Sequence, residues 1–526
     1  MGIEKIQRPE LFFGIVGPVG VDIDMITDVL ITELNRQQYY SRVLKVTSLM
    51  EVIPSNIVLR DDNYLERIKS RISYANDVCK RLGRKDALAA IVPSGVQTIR
   101  EEWYKKKARE RGQEAAKIEV ERPLDAHAYI IRQFKRPVEI KLLRQIYGKL
   151  FFQISAYSSP SDREDLITKK IKDSNFGAID DSKARNDAIE LMAIDYAEEK
   201  NDFGQKIRET FPMADVFVDG INRKKCEQMI HRFVNLIFGD NSITPDRDEN
   251  GMYLAKSSSL RSGDLSRQVG AAICRSTGEV ISLGCNEVPK FGGGPYWCDD
   301  VNDARDFAIG EDPNDRIKRE VLHNILDILF RTGRLSANLS NLTTKEIMTT
   351  LMQDESGIRS SKVMDLLEFG RVIHAEMAAL VDAARFGLSV KDAVLYGTTF
   401  PCHICAKHIV AAGITRVVFL EPYPKSYARE LHVDSIEIEG DSSSGKVKFD
   451  AFMGISPHRY RDFFENGRRK GDDGKANLWR DGKPLPIVEI YMPIYPTLET
   501  IVSAELKNEI ERLRAEVAAT SSETAT

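Results

Sequence analysis

Long apolar runs, excess positive charge and cysteine are all scarce in this sequence. No segment has eighteen continuous apolar residues, and the opening MGIEKIQRPE lacks the apolar core of a signal peptide, so we expect a cytoplasmic protein without a membrane partner. The 75 Lys and Arg residues are outnumbered by 79 Asp and Glu residues, which gives a net charge of -4. Without a global positive field, a polymeric nucleic acid is a disfavoured ligand.

Cysteine is too sparse and too irregularly spaced for a disulfide framework. The chain has seven cysteines, an odd number, and only Cys402 and Cys405 form a close pair. This pattern favours a metal or redox pair over structural disulfides.

The length and composition indicate two soluble α/β domains. At 526 residues, with 42% hydrophobic and 29% charged residues, the chain exceeds what one core usually supports. The polar, turn-rich stretch GDNSITPDRDENG (239–251) is the predicted boundary. We expect one domain over 1–242, a second over 251–500 with a long insertion at about 290–370, and a charged helix with a flexible tail over 501–526.

The first domain shows alternating strand and helix patterns, which predict a parallel sheet. Strands are predicted at Leu11–Val16, Ala128–Phe134, Leu150–Ser155 and Ala214–Gly220, and helices at Pro137–Tyr147 and Arg223–Ile237. The segment Arg100–Arg122 mixes both charge signs at short range, which predicts a solvated helix and, as the alternative, an RNA-binding arm.

A glycine turn follows the first strand but lacks the lysine of a P-loop. Counting the Walker A spacing from Gly17 places Asp22, Ile23 and Asp24 where Gly, Lys and Ser or Thr are required. Ordinary NTP hydrolysis is therefore not expected. We predict a degenerate P-loop in which Gly17 and Gly20 bind a nucleotide; the alternatives are an inert scaffold and retained catalysis, and Asp24 is a candidate helix cap.

The most informative residues are His374-Ala375-Glu376 and Pro401-Cys402-His403-Ile404-Cys405. They match the H-x-E and P-C-x-x-C signature of zinc nucleobase deaminases. One imidazole and two thiolates, from His374, Cys402 and Cys405, leave a tetrahedral Zn²⁺ one open position for water, whose pKa falls from about 15.7 to about 7. Glu376 is the predicted proton carrier. The alternative is a buried polar histidine with core thiols or a redox pair.

Residues beyond the metal motif extend this resemblance. The stretch Leu260–Pro289 and the segment EPYPKSY (421–427) are similar to the deoxycytidylate deaminases of the cytidine deaminase superfamily. The resemblance implies a three-layer α/β/α domain. It also implies that Asn286 contacts the sugar, with a simple turn asparagine as the alternative. Tyr423 would line the nucleotide pocket, with a role in core packing as the alternative. The long insertion departs from the short family members, so no phosphate-binding arginine is carried over.

The order of the two domains carries a second resemblance. A glycine-turn domain similar to nucleotide kinases of the dephospho-coenzyme A type, followed by a deaminase domain, resembles two-domain bacterial deaminases of anti-phage defence. This resemblance implies a free deoxycytidine nucleotide (dCMP or dCTP) as substrate, a homo-oligomer, and control by a regulatory RNA or nucleotide. The competing hypotheses are an RNA- or DNA-editing deaminase and a catalytically silent nucleotide sensor or scaffold. Cys298 is interpreted as a buried thiol, with a second zinc site as the alternative.

Overall fold

The chain forms two compact α/β units, each with a six-stranded sheet. The computed structural model describes residues 5–112, 122–196, 198, 201–334, 342–353, 361–366, 368–422, 426–439, 445–465, 469–477, 479 and 485–523. The first unit comprises Met1–Pro245 and Met453–Thr526, and the second comprises Asp246–Phe452. The division between Pro245 and Asp246 falls inside the 239–251 segment.

The strands of the described ranges are β1 (Leu11–Val16), β2 (Tyr40–Lys45), β3 (His127–Phe134), β4 (Phe151–Tyr157), β5 (Val216–Asp219), β6 (Gly270–Cys274), β7 (Val280–Cys285), β8 (Val394–Thr399), β9 (Arg416–Glu421), β10 (Ile436–Ile438), β11 (Val447–Ala451) and β12 (Gly454–Ile455). The α-helices are α1 (Ile23–Arg36), α2 (Val46–Leu49), α3 (Tyr64–Leu82), α4 (Ala87–Ala90), α5 (Val92–Glu110), α6 (Pro137–Tyr147), α7 (Pro160–Ser174), α8 (Asp181–Tyr196), α9 (Ile207–Thr210), α10 (Arg223–Ile237), α11 (Arg247–Ser259), α12 (Asp306–Ile309), α13 (Pro313–Arg331), α14 (Thr344–Gln353), α15 (Ala375–Arg385), α16 (His403–Ala411), α17 (Ala428–Leu431), α18 (Tyr460–Phe464) and α19 (Tyr495–Glu523).

The first sheet has the order β12-β5-β4-β1-β3-β2, and only β12 runs antiparallel to its neighbour. All six residues of β1 are buried, as expected for a central parallel strand covered on both faces. The predicted strand at Leu11–Val16 and the predicted helices at Pro137–Tyr147 and Arg223–Ile237 are confirmed.

The second sheet has the order β10-β11-β9-β8-β6-β7, in which β6 is antiparallel to both neighbours and the remaining pairs are parallel. Helix α11 packs on one face, where a Cβ on Gly270 would lie 1.9 Å from Ala255 O. Helices α15 and α16 pack on the other face, where Ala375 and Ala406 join one core with Ala271. The second unit therefore has three layers, as predicted.

Residues after Phe452 complete the first unit, so the predicted end of the second domain at 500 does not match this division. Strand β12 hydrogen bonds to β5, and α19 begins at Tyr495 and not near 501. On α19, Leu506 and Leu513 are buried, so this part of the 501–526 segment is a packed helix. The sequence of this segment predicts a charged helix, but it does not indicate which unit the helix belongs to.

Two further predictions are corrected by burial. Residues 101–112 of the predicted solvated segment are exposed or partly exposed, but Arg100 at its start is fully buried and pairs with the carboxylates of Glu10 and Glu499. Residues 113–121 lie outside the described residues. Cys298 is exposed and not a buried thiol, and it joins no His/Cys/Asp/Glu cluster of metal-binding geometry within the described ranges. None of the helices in the described part of the chain is both long and apolar enough to cross a membrane.

Candidate zinc centre

Two helix starts in the second unit bring the three candidate metal ligands together. His374 is the N-cap residue of α15, and Cys402 is the N-cap residue of α16, directly after strand β8. Cys405 lies in the first turn of α16, and its backbone N–H donates to the Cys402 sulfur at 3.4 Å. The N-terminal ends of helices favour negative charge, so both thiols lie where the thiolate form is stabilised.

A glycine in strand β7 allows α15 to approach the sheet. A Cβ atom on Gly284 would lie 2.1 Å from the carbonyl oxygen of Ala375 and 2.5 Å from the backbone nitrogen of Ala379. Because both are backbone atoms, any side chain here would displace the helix that presents His374. A lone glycine in a strand pattern is the signal that points to such a close approach, and our sequence reasoning did not use it.

The donor set fits a zinc ion. The sulfurs of Cys402 and Cys405 each lie 3.3 Å from Nδ1 of His374, and all three donor atoms lie within 4.8 Å of one another. Tetrahedral Zn²⁺ with ordinary Zn–S and Zn–N bond lengths separates these atoms by about 3.6 Å. Three protein donors leave the fourth tetrahedral position available, which is typical of catalytic zinc.

The electrostatics of the ligands favour a thiolate at Cys402. Hydrogen bonds from the Cys405 thiol and the His374 imidazole to its sulfur lower the pKa of Cys402 to about 4. The same thiolate, together with burial, raises the pKa of Cys405. The hydrogen bond to Cys402 raises the pKa of His374 to about 8. A bound cation compensates the charge of both thiolates and of the nearby carboxylate.

Glu376 lies in the first turn of α15, and its side chain is almost completely buried. Burial raises the pKa of its carboxyl group, while the adjacent His374 lowers it. A buried carboxyl group near a metal centre, with a pKa raised toward neutrality, is suited to accept and return protons.

Asn286 follows strand β7, one residue before Glu287, which bridges to Ile373 next to His374. Its Oδ1 accepts from Val269 N at 2.7 Å, and its Nδ2 donates to Arg267 O at 2.8 Å. The Asn286 amide therefore holds the loop that precedes β6 in place. The predicted pocket residue Tyr423 lies outside the described residues.

Our sequence reasoning also missed two polar residues near the loop before β6: Arg261 on this loop and Glu287, which follows β7 and binds the loop backbone. The Glu287 carboxylate is buried and accepts from Gly263 N at 2.7 Å. The guanidinium carbon of Arg261 lies 3.5 Å from the centroid of the half-exposed Trp297 ring, a cation–π contact. Trp297 lies in the insertion that departs from the family pattern, so no motif in the sequence could link it to Arg261.

The glycine turn of the first unit, predicted as a degenerate P-loop, is followed by helix α1. Gly20 adopts φ +96°, and a Cβ there would lie 2.8 Å from Cβ of Arg163. Asp22 is the N-cap of α1, accepting from Met25 N at 2.9 Å, so the prediction that Asp24 caps the helix is wrong. Asp24 instead pairs with Arg132 at 2.6 Å.

Part of the chain, most of it in the second unit, is similar to a known protein family. Residues 245–421 match the family described as the cytidine and deoxycytidylate deaminase zinc-binding region. His374, Cys402, Cys405 and Glu376 all lie within the matched residues.

Particular relatives share parts of this region. Over 62 residues the chain is 44% identical to ComE operon protein 2 of Bacillus subtilis (strain 168), covering 12% of this chain and 33% of the relative. Over 54 residues it is 46% identical to the deoxycytidylate deaminase of Enterobacteria phage T2, covering 10% of this chain and 29% of the relative. Over 111 residues it is 34% identical to a probable deoxycytidylate deaminase of Drosophila melanogaster, covering 19% of this chain and 54% of the relative. The chain thus matches about a third to about half of the length of these relatives.

A solved structure of dCMP deaminase from the cyanophage S-TIM5 aligns with 40% of this chain and 100% of its own, at 18% identity and a TM-score of 0.21.

Proposed function

We propose that this protein hydrolyses the exocyclic amine of a free deoxycytidine nucleotide, dCMP or dCTP, giving the deoxyuridine nucleotide and ammonia. The observation that carries the proposal is the convergence of His374, Cys402 and Cys405 beside the buried Glu376, within a region that matches the deaminase family. We place the reaction in the cytoplasm, where the two ligand thiols stay reduced.

Glu376 performs the proton transfers. His374, Cys402 and Cys405 would hold a zinc ion, which would lower the pKa of a bound water to about 7 and so supply the nucleophile for C4 of cytosine. The Glu376 carboxylate accepts a proton from the attacking water and delivers it to the ring nitrogen. It then accepts the remaining proton of the new hydroxyl group on C4 and passes it to the amine, which leaves as ammonia while the C4 carbonyl forms. Burial of the carboxyl group keeps bulk water from competing for these protons. We assign contact with the sugar to Asn286 and a place in the nucleotide pocket to Tyr423.

The biological role we propose is depletion of deoxycytidine nucleotides during phage infection, by a homo-oligomer controlled by an RNA or nucleotide effector. The first unit, as a degenerate P-loop domain, binds the nucleotide effector at the turn of Gly17 and Gly20. Support comes from the position of this turn after β1, the central strand between β3 and β4. An infection assay in which Glu376→Ala protects cells as well as wild type would contradict the defensive role.

The activity is tested with zinc-loaded protein incubated separately with dCMP, dCTP, CTP and deoxycytidine, with products resolved by chromatography. We expect conversion of a deoxycytidine nucleotide and a loss of about 10²- to 10⁴-fold in Glu376→Ala, because general acid–base catalysis contributes that much. The exposed Glu430→Ala is the control and retains activity. Zinc-bound protein that leaves every free nucleotide unchanged would refute the proposal and favour an editing substrate.

A further inference from the structure

A cavity in the first unit lies at the carboxyl ends of β1 and β3, beside the glycine turn. It has a volume of about 210 Å³ and is lined by the whole turn, Gly17 to Gly20, and by residues that follow β3. Strands β2 and β3 lie on one side of β1, and β4 and β5, which come later in the chain, lie on the other side. The direction in which strands are added to the sheet therefore reverses at β1. Open parallel sheets bind ligands at this kind of position.

The cavity wall is predominantly positive. Six cationic side chains line it, and only three carboxylates do. The cations are Arg67, Arg71, Arg132, Lys135, Arg136 and Lys170, and the carboxylates are Asp22, Asp24 and Asp195. Asp61 and Glu139, outside this lining, pair with Arg71 and Arg136 and so reduce the excess to one positive charge. This charge and the backbone N–H groups of the turn suit a phosphorylated ligand.

Lys135 occupies the place of the lysine that the turn lacks. It follows β3 directly, and its Nζ donates to the Gly17 carbonyl oxygen at 2.8 Å. The same ammonium donates to Oδ1 of Asp195 at 2.6 Å. A lysine from a neighbouring strand therefore reaches the turn, although the sequence spacing of the motif predicts none.

Asp195 occupies the place of an anion at this turn. Its Oδ2 accepts from the backbone N–H of Val19 at 2.6 Å, while its other oxygen binds Lys135. The side chain is fully buried in the last turn of α8. One carboxylate thus engages both an N–H of the turn and the nearby ammonium, the two groups that a phosphate oxygen would engage.

An unsatisfied group also points to a missing ligand. Gln205 lines the same cavity and is 4% exposed, yet its Oε1 has no hydrogen-bond partner among the described residues. A buried acceptor is satisfied only by a donor, so Oε1 marks a place for a hydroxyl or amino group of the ligand and not for a phosphate oxygen.

We propose that this cavity binds the linked phosphates of a nucleoside triphosphate, with Lys135 as the phosphate-binding cation and Asp195 as an internal anion that the phosphates displace. This inference rests on the proposed nucleotide effector and assigns it a binding mode. In the absence of nucleotide, Asp195 keeps Lys135 neutralised and the turn closed to phosphate. Lys170 offers further positive charge to the phosphate chain from the cavity wall.

The test measures binding of ATP to the full-length protein by calorimetry, because an adenine nucleotide does not report on cytosine deamination. We expect Asp195→Asn to bind ATP at least tenfold more tightly than wild type, and Asp195→Asn combined with Lys135→Met to lose this gain. Adenosine, which has no phosphates, should bind to none of the variants. Asp181→Asn removes a charge from the opposite end of α8, about 20 Å away along the helix, and should leave affinity unchanged.

Equal or weaker ATP binding by a folded Asp195→Asn protein overturns the proposal, as does a gain that survives Lys135→Met. If Asp195→Asn does not fold, thermal unfolding replaces it: millimolar ATP should raise the Tm of wild type but not of Lys135→Met, and no rise in wild type is also a refutation. Deamination of dCMP is measured separately on the same samples. Protein that deaminates dCMP but binds no ATP refutes this binding mode and leaves the proposed reaction intact.

Discussion

At the scale of single residues, the metal ligands are where sequence and structure agree best. The pattern of His374, Cys402 and Cys405 predicts a metal site because few chemistries need these side chains at this spacing, and the structure places their donor atoms within 4.8 Å. The ion pairs of Lys135 and Arg100 could not be predicted from the sequence in the same way. Their contacts join residues 60 to 399 positions apart, and no local pattern encodes which distant carboxylate each one meets.

A residue-scale prediction separates the ligand thiols from the other cysteines. Cys405→Ser should reduce bound zinc from about one per chain to nearly none, because a neutral hydroxyl replaces one of only three protein ligands. Cys298→Ser is the matched control, since this exposed thiol belongs to no group of three metal-binding side chains among the described residues, and it should retain zinc. Metal analysis by mass spectrometry after dialysis checks both; equal zinc in the two variants would contradict the ligand assignment.

At the scale of elements, close packing of α15 against β7 fixes the position of His374. Gly284→Ala should displace α15, because the new methyl group would lie 2.1 Å from the carbonyl oxygen of Ala375. We expect at least a tenfold loss of zinc affinity, measured by chelator competition. Ser282→Ala, on the same strand, adds no atom and should bind zinc like wild type. Unchanged zinc affinity in Gly284→Ala would mean that β7 shifts to accommodate the methyl group and that α15 keeps its position.

Helix α19 should make stability depend on pH. Burial raises the pKa of Glu499 to about 7, above its usual value, so its stabilising contribution is full below about pH 4.5 and is lost as pH rises through 7. Wild type should therefore become less stable between pH 5 and 8 through this group. Glu499→Gln should flatten this part of the dependence.

The measurement is Tm against pH for wild type, Glu499→Gln and Glu509→Gln. The last variant removes a carboxyl group from the same helix that pairs with Arg84 near the surface, so its profile should keep the wild-type slope. A Glu499→Gln profile parallel to wild type would show that Glu499 stays ionised throughout.

At the scale of the whole molecule, the first unit is built from both ends of the chain. A chain that ends after Phe452 lacks β12 and leaves the buried Arg100 without Glu499. Removal of one partner from a buried ion pair costs about 3–5 kcal/mol, so this truncation should unfold the first unit. A chain that ends after Glu516 keeps the buried Leu506 and Leu513 and should remain folded.

Calorimetry of both truncations checks this expectation, and a native-like transition of the first unit in the shorter chain would contradict it. The same arrangement explains why the sequence predicts elements better than domain limits. Strand and helix periodicities identify β1, α6 and α10 because they are local. The return of the chain after Phe452 depends on pairing between β12 and β5, more than 200 residues apart, and a two-residue strand has no periodicity to detect.

The contact between Arg100 and Glu499 also sets an order of events during synthesis. The two residues are 399 positions apart, and a ribosome that adds about 5–20 residues per second needs roughly 20 to 80 s to cover that distance. Throughout this interval Arg100 pairs with Glu10 but not with Glu499, and the first sheet lacks β12 at its edge. The whole zinc-binding unit emerges in the meantime, so it can fold and acquire its metal before the part of the protein that was made first is complete.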